Sequence, residues 1–258
     1  MEVGQFKKYA RFYDLLYKDK DYAGEAAYIN SLIQDFARRE ASGCNVLDLA
    51  CGTGRHIIEM AKYGYKIDGS DISASMIDEA RELTEANGLD ANLYNFSFQE
   101  AHQIDRKYDV VISMFSAVNY LTTFEDQSKT MSNIYNLLED EGFFIFDFWN
   151  GNAVVRDYSP VRVLRKQSNS TEIIRISETS LDLLKQDAFV KFTCLLLEDN
   201  VKTDEFEELH HLHYYFLPEI ESLLKINNFQ LKAALPFMAS GKELAPYDWN
   251  ISIVAQKL

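Results

Sequence analysis

Residues 46–54 read Val-Leu-Asp-Leu-Ala-Cys-Gly-Thr-Gly, and this stretch decides the fold. Its first four residues are apolar except for Asp48, which is typical of a buried parallel strand. Gly52 and Gly54 come next, and glycine lets a backbone turn sharply and approach a ligand closely. An apolar pattern with helical spacing begins at Ile57. We therefore predict a strand, a glycine turn and a helix, the arrangement found at nucleotide-type cofactor sites.

The details of the glycine turn exclude two common phosphate-binding motifs. A dinucleotide fingerprint needs a third glycine where this chain has Ile57. A P-loop needs Lys-Ser or Lys-Thr after the glycines, and neither follows here. The carboxylate of Asp48 would repel an anionic pyrophosphate, so it favours a ligand whose near end is cationic.

A second acidic residue, Asp71, lies 17 residues after Gly54, where the next predicted strand ends. In doubly wound α/β folds, a carboxylate at this place accepts hydrogen bonds from ribose hydroxyls. The other interpretation is a carboxylate stabilised by the dipole of the helix that follows. The two roles are compatible.

Length and charge limit the class of protein. A chain of 258 residues can hold one large α/β domain with an insertion, or two small domains. A net charge of −14 disfavours nucleic acid as a partner. The three cysteines have no metal-ligand spacing, and the sequence has neither a signal-peptide core nor a membrane-spanning run. We expect a cytoplasmic protein with no bound metal, no membrane association and a small-molecule substrate.

Strands and helices alternate along the first 150 residues, and the pattern then changes. Residues 5–40 have helical periodicity, with a second helix expected over 22–39. Strands are predicted at 45–50, 65–70, 93–98, 108–115 and 143–148, with helices between them. Residues 160–216 contain β-like runs without helices, which predicts an antiparallel insertion of hairpins. A helix at 218–227 and an edge pair of strands at 229–235 and 250–256 complete the pattern.

The glycine loop, Asp71 and this order of elements resemble the class I (Rossmann-like) S-adenosylmethionine-dependent methyltransferases. The glycine loop of that class commonly reads D-x-x-C-G-x-G, as residues 48–54 do. The resemblance implies a doubly wound, seven-stranded, mostly parallel sheet whose last strand is antiparallel. It also implies S-adenosyl-L-methionine as the cofactor.

A narrower resemblance covers most of the chain. Tyr13-Asp14-Leu15, Asp21-Tyr22, residues 114–121 and residues 210–216 are similar to the sugar-nucleotide N-methyltransferases, which act on the amine of a dTDP-linked amino sugar. In that family the N-terminal tyrosines close over the methionine part of the cofactor. Packing of these tyrosines within helices is the alternative.

The resemblance implies a cofactor site built from several loops. The candidate cofactor-binding residues are Tyr13, Tyr22, Asp48, Ala50, Gly52, Gly54, Asp71, Ile72, Met76, Phe98, Gln99 and Met114. Ile72 and Met76 can supply apolar faces to the adenine. Phe98 stands where the family often has an acidic partner for the adenine amine, so Gln99 or Glu100 is the expected substitute.

The candidate catalytic residues are Tyr120, His211 and Tyr13. Tyr120 stands where several family members have a histidine, and a phenol with a pKa of ~10 is a poor base that can still orient an amine. His211 shares a strand face with His213, and either could act as a base toward a hydroxyl acceptor. A metal site would need Glu207 as a further ligand, and we prefer a role beside the acceptor.

The insertion carries several basic residues in an acidic protein: Arg156, Arg162, Arg165, Lys166 and Arg175. They are either solvated hairpin residues or, for one or two arginines, bidentate ligands of an acceptor phosphate. The insertion is also the candidate interface of a homodimer.

These observations predict three parts and one main function. The parts are an N-terminal helical lid (1–40), a methyltransferase domain (41–150 and 217–258) and an antiparallel β insertion (151–216) that covers the acceptor. The predicted function is methyl transfer to the amine of an amino sugar. The alternatives are an O-methyltransferase with a histidine base and a non-catalytic cofactor-binding regulator. A dinucleotide oxidoreductase is disfavoured by the missing third glycine.

Overall fold

The computed structural model describes residues 16–168, 170–239 and 241–258. The strands in chain order are β1 (Asn45–Leu49), β2 (Lys66–Ser70), β3 (Leu93–Tyr94), β4 (Tyr108–Ser113), β5 (Leu138–Trp149), β6 (Val161–Ser168), β7 (Thr171–Asp182), β8 (Asp187–Glu198), β9 (Val201–His213), β10 (Phe229–Pro236) and β11 (Asn250–Lys257). The α-helices are α1 (Tyr22–Leu32), α2 (Arg55–Ala61), α3 (Ala74–Ala86), α4 (Phe124–Leu137), α5 (Gly151–Asp157) and α6 (Leu217–Ile226).

Seven strands form one mostly parallel sheet in the order β10-β11-β5-β4-β1-β2-β3. Strands β1 to β5 run parallel to one another, whereas β11 is antiparallel to both β5 and β10. The predicted fold class is thus confirmed, including the antiparallel pair at one edge. The strand order reverses beside β1, and ligands of such sheets bind outside the carboxyl ends of the strands at this point.

The centre of the sheet is covered on both faces. Val46, Leu47 and Leu49 are completely buried, and Asp48 is 1% exposed. Leu47 and Leu49 belong to a core cluster with α4, whereas Val46 belongs to a second cluster with α1 and α2. An apolar run without polar alternation is what a doubly covered parallel strand requires.

Strand β3 is shorter than predicted, because only Leu93 and Tyr94 pair with β2. Beyond them the carbonyl of Phe96 accepts the hydroxyl of Ser70 (2.9 Å) rather than a ladder hydrogen bond. The backbone N–H and hydroxyl of Ser97 both donate to the carboxylate of Glu100. These contacts turn the chain toward the next helix.

Helix α5 occupies the start of the segment predicted as β insertion. The side chain of Asn150 caps it by accepting the N–H of Asn152. Ala153 and Val154 on the helix are buried. The prediction missed this helix because seven residues are too few for a clear helical period.

The predicted hairpins form a separate antiparallel sheet in the order β6-β7-β8-β9. Along β9 the residues Phe206, Glu208, His210 and Leu212 are buried, and those between them are exposed. The inner face of this sheet therefore includes a carboxylate and a histidine.

Helix α1 begins at the cap Asp21, whose side chain accepts the N–H of Gly24 (2.8 Å). It continues as one π-helical turn, Ile33–Ala37, and ends at Arg38 in the left-handed conformation. The first predicted helix lies almost entirely outside the described residues. Within the described ranges, no helix is both long and apolar enough to cross a bilayer.

Candidate active site

A cavity of about 430 Å³ lies between the two sheets. One wall is formed by the loops after β1, β2 and β4, at the carboxyl ends of these strands. The opposite wall is the inner face of β7, β8 and β9. The four-stranded sheet thus lies over the place where a doubly wound sheet binds its ligand.

The glycine loop uses left-handed backbone at three positions: Ala50 (φ 75°), Gly52 (φ 55°) and Gly54 (φ 78°). Gly52 lines the cavity, and a Cβ added there would meet no atom within 4 Å. Gly54 faces away from the cavity, where an added Cβ would lie 3.1 Å from the Cβ of Ala80. Gly52 therefore leaves room for a ligand, and Gly54 allows the helices to pack.

Asp71 lines the cavity and accepts two backbone N–H groups. Gly52 donates to Oδ2 at 2.9 Å, and Ser73 donates to Oδ1 at 2.8 Å. Burial raises the pKa of the Asp71 carboxyl, and these two hydrogen bonds oppose that effect. Both predicted interpretations are thus compatible with its geometry, since it contacts the start of α3 and also faces the cavity.

Asp48 is buried at the floor of the cavity. Among the described residues, its Oδ2 atom has no hydrogen-bond partner. Burial raises the pKa of this carboxyl from 3.8 to about 6, although the charges of His56 and Lys20 oppose the rise. A buried carboxylate oxygen without a donor fits a ligand with a cationic group at this end, such as an ammonium.

A cluster of charges beside Asp48 was not predicted. The Nε2 atom of His56 lies 2.7 Å from Oε2 of Glu25, and the ammonium of Lys20 pairs with the same oxygen. Lys20 also lies over the rings of Tyr22 and Phe115, 4.5 and 4.7 Å from their centroids. Lys20, Tyr22 and His56 all line the cavity.

The predicted adenine-contacting residues converge at one end of the cavity, which is lined by Ile72, Met76, Phe98 and Gln99. The amide of Gln99 donates to Asp126 (3.0 Å). The other candidate, Glu100, lies outside the cavity lining and accepts hydrogen bonds from Ser97.

A buried network holds the loop after β4. Phe115 and Ser116 both have left-handed backbone (φ 62° and 56°). The carboxylate of Asp147 accepts the N–H of Ser116 at 2.9 Å and its hydroxyl at 2.7 Å, and it also accepts the amide of Asn250 at 2.6 Å. These contacts stabilise the strained turn beside Met114, which lines the cavity. Asp147 stands within an apolar run, as Asp48 does, and that pattern was the available signal in the sequence.

The predicted acceptor end of the cavity contains Tyr120 and His210, whose OH and Nδ1 atoms lie 2.8 Å apart. Burial raises the pKa of the Tyr120 phenol well above its usual value. Burial, together with the charge of Arg175, lowers the pKa of His210 to about 4. The carboxyl of Glu208 lies 3.6 Å from Nε2 of His210. At neutral pH both Tyr120 and His210 are therefore uncharged.

His211 does not join this group. Its side chain is 47% exposed, pairs with Asp187 at 2.8 Å and stacks on Phe189. The alternation of side chains along β9 brings His210 to the cavity and directs His211 to the outer face. A catalytic role of His211 stays a prediction, and this position does not support it. Tyr13 lies outside the described residues.

Of the five candidate basic residues named from the sequence, Arg162 and Arg175 line the cavity. Arg175 donates to the hydroxyl of Tyr17 (2.9 Å), and Arg162 lies over the ring of Trp249. The other three lie outside the lining and pair with nearby acids: Arg156 with Asp157, Arg165 with Glu172 and Lys166 with Asp19. In the described part of the chain, no group of three histidine, cysteine or acidic side chains could hold a metal ion.

Comparison with known proteins agrees with this geometry. A family model described as a methyltransferase domain matches residues 46–142, the segment with the glycine loop, Asp71 and the β4 loop. The protein is a class I S-adenosylmethionine-dependent methyltransferase. Its cofactor is S-adenosylmethionine.

Two relatives illustrate what this methyltransferase is similar to. YqeM of Bacillus subtilis (strain 168), whose methyltransferase name is provisional, is 25% identical over 88% of this chain and 87% of its own length. A dTDP-3-amino-3,4,6-trideoxy-α-D-glucopyranose N,N-dimethyltransferase of Streptomyces venezuelae is 33% identical over 55% of this chain and 57% of its own length.

The same fold is present in solved structures. An S-adenosylmethionine-dependent methyltransferase of Clostridium acetobutylicum ATCC 824 superposes with a TM-score of 0.81 at 20% identity, covering 98% of both chains. At this identity the likeness concerns the fold, and it includes the region of the four-stranded sheet.

Proposed function

We propose that this methyltransferase transfers a methyl group to the amine of a small molecule, and that the acceptor is an amino sugar, in nucleotide-linked form. The bound cofactor supplies a methyl group activated on a sulfonium. Asp71 binds the ribose hydroxyls, since each of its oxygens keeps a lone pair after accepting one N–H. Asp48 binds the ammonium of the methionine part.

The remaining cofactor contacts follow from the cavity lining. Gly52 and Ala50 carry the backbone past the cofactor, and Ile72 and Met76 pack against the adenine. Gln99 is the polar residue at the adenine end. Tyr22 covers the methionine part. The role of Tyr13 and that of segment 1–40 as a lid stay predictions.

We choose an amine as the acceptor because the groups at the acceptor end are weak bases. The imidazole of His210 has a pKa of about 4, and the Tyr120 phenol holds its proton. A hydroxyl acceptor needs a base to become a nucleophile, whereas a neutral amine attacks with its own lone pair. Orientation alone can lower such a barrier by roughly 7–11 kcal/mol.

The wall of the acceptor end supports a sugar with few hydroxyl groups. It is formed largely by apolar side chains of α5 and the insertion: Val154, Leu181, Ala188, Val190, Phe192 and Leu212. A fully hydroxylated ring would lose its hydrogen bonds to water against such a wall. The S. venezuelae relative carries the name of an enzyme acting on a trideoxy amino sugar.

Arg162 supports the nucleotide-linked form. It lies at the cavity over Trp249, and no carboxylate of the described residues lies within ion-pair distance of it. A guanidinium beside an aromatic face suits a phosphate on one side and a stacked ring on the other. The insertion (151–216) thus serves as the cover of the acceptor.

A homodimer through the outer face of the insertion also stays a proposal. That face exposes Val161, Val163, Phe189 and Leu209. Exposed apolar residues on one sheet face are typical of an interaction surface. Sedimentation of the purified protein would test it: a monomer at micromolar concentration would contradict the proposal.

The acceptor proposal is tested with pairs of compounds that differ only in one group. The purified enzyme and S-adenosylmethionine are incubated with amino sugars, free and nucleotide-linked, and with the matching hydroxyl sugars. S-adenosylhomocysteine and the methylated product are measured by mass spectrometry. We expect N-methylated product only from the amines. Methylation of the hydroxyl compound in preference to its amine partner would overturn the proposal.

A further inference from the structure

The hydrogen bond between Tyr120 and His210 joins two separate parts of the molecule. Tyr120 ends a short 3₁₀ helix, Ala117–Tyr120, that follows β4 of the large sheet. His210 lies on β9 of the four-stranded sheet, 90 residues away in sequence. Both side chains line the cavity. Their contact is therefore part of the acceptor end and not only of the core.

The surroundings decide which group donates. A neutral imidazole has one N–H donor and one acceptor nitrogen. The carboxyl of Glu208 lies on the Nε2 side at 3.6 Å, which favours the tautomer with the proton on Nε2. The Nδ1 atom is then the acceptor, so the phenol O–H of Tyr120 donates to it. This assignment rests on the position of the Glu208 carboxyl, which lies on the Nε2 side of the ring and away from Nδ1.

We propose that His210 is a positioning residue: by accepting the phenol proton of Tyr120, it directs the lone pairs of the phenol oxygen toward the acceptor's N–H. The inference rests on the proposed N-methyltransferase function. An amine whose N–H is bound by Tyr120 keeps its lone pair free for the methyl group. Without His210, the phenol proton would rotate toward the amine lone pair and block the attack.

Two consequences distinguish this role from that of a base. His210 takes up no proton, so any group of the same shape that accepts a hydrogen bond can replace it. The contact also needs an N–H on the acceptor. Primary and secondary amines are oriented, and a tertiary amine is not.

The test compares two substitutions of His210. In His210→Leu the acceptor nitrogen is lost, and we expect kcat/KM for the amine to fall about 10-fold, the equivalent of one hydrogen bond. In His210→Asn the amide oxygen takes the place of Nδ1, and we expect most of the activity to return. The affinity for S-adenosylmethionine, measured by calorimetry, stays unchanged in both and shows that they fold. Leu209→Ala, on the outer face of the same strand, is the matched control.

A double-mutant cycle gives the second readout. Because His210 acts through Tyr120, His210→Leu should have no further effect once Tyr120→Phe has removed the hydroxyl. The inference is overturned if the two effects add, or if His210→Asn is as impaired as His210→Leu. Failure of the proposed function looks different, since the unaltered enzyme would then methylate none of the amines.

Discussion

The backbone N–H of Gly52 donates to Oδ2 of Asp71 at 2.9 Å, which joins the two cofactor motifs that lie 19 residues apart in sequence. The other oxygen of Asp71 accepts the N–H of Ser73. These two hydrogen bonds hold the carboxylate in place before any ligand binds. Each oxygen still has a further lone pair that can accept a hydrogen bond from a ligand in the cavity. A preorganised acceptor of this kind binds a pair of hydroxyls without further ordering.

Replacing Asp71 with alanine should weaken cofactor binding. The ribose hydroxyls lose a charged acceptor, which contributes roughly 1.5–3 kcal/mol, so we expect the Kd to rise about 10- to 100-fold. Calorimetric titration with S-adenosylmethionine measures the change. Glu79 is an exposed carboxylate on α3 outside the cavity lining, so Glu79→Ala is the control and should leave the Kd unaltered. An unchanged affinity in Asp71→Ala would refute the ribose role.

Asp48→Asn should make the free protein more stable at neutral pH. Burial raises the pKa of Asp48 from 3.8 to about 6. Above pH 6 the buried carboxyl is charged, and this charge lowers the free energy of unfolding. The shift corresponds to roughly 2–3 kcal/mol, which an uncharged amide removes. The penalty in the native protein disappears as the pH falls from 6 to below 4, because the folded state then holds the proton.

Urea unfolding of both proteins between pH 4 and pH 8 measures this effect. The stability gain of Asp48→Asn should be greatest above pH 6 and should vanish near pH 4. The same variant should bind S-adenosylmethionine more weakly, since the amide does not neutralise the ammonium. A stability difference independent of pH would show that Asp48 does not titrate near pH 6.

The sheet could be predicted because its signals are local. An apolar run such as 46–49 and a glycine pair define a strand and a turn within nine residues. Strand β3 was overestimated because an edge strand can end wherever side chains such as Glu100 capture the backbone. Helix α5 was missed because its seven residues are too few to show a clear helical period, even though its cap, Asn150, stands in the sequence.

The acceptor end could be predicted only in part. The alternation of β9 separates His210 from His211, but both faces mix polar and apolar residues, so the pattern does not tell which face is inside. Glu208 and His210 lie inside, whereas Leu209 lies outside, the reverse of a simple hydrophobic rule. Contacts such as Tyr120 with His210 depend on how two sheets pack, and no local signal encodes them.

Lys20→Met should destabilise the protein through Glu25. Burial alone would raise the pKa of this carboxyl, but His56 and Lys20 together lower it below its usual value of 4.5. The ion pairs therefore stabilise the folded state above pH 4.5, and this stabilisation is lost as the pH falls below it. Removing one cation from a buried carboxylate costs about 1–3 kcal/mol.

Thermal or urea unfolding at pH 7.5 and pH 4 measures the change. We expect the loss in Lys20→Met to be largest at pH 7.5 and smaller at pH 4. Combining it with Glu25→Gln should restore much of the stability, because the unpaired charge is then absent. Equal loss in the single and double variants would mean that Lys20 stabilises by packing on Tyr22 and Phe115.

Arg162→Ala should separate nucleotide-linked acceptors from free ones. Arg162 lines the cavity, whereas Arg165, three residues along β6, pairs with Glu172 away from it. If Arg162 binds a phosphate, its loss removes a charged hydrogen bond worth roughly 1.5–3 kcal/mol. The KM of a nucleotide-linked amino sugar should then rise at least about 10-fold, while the KM of the free amino sugar stays the same. Steady-state kinetics with both acceptors measures this, and Arg165→Ala should change neither value. Equal effects of Arg162→Ala on both acceptors would show that this guanidinium contacts the sugar or the protein and not a phosphate.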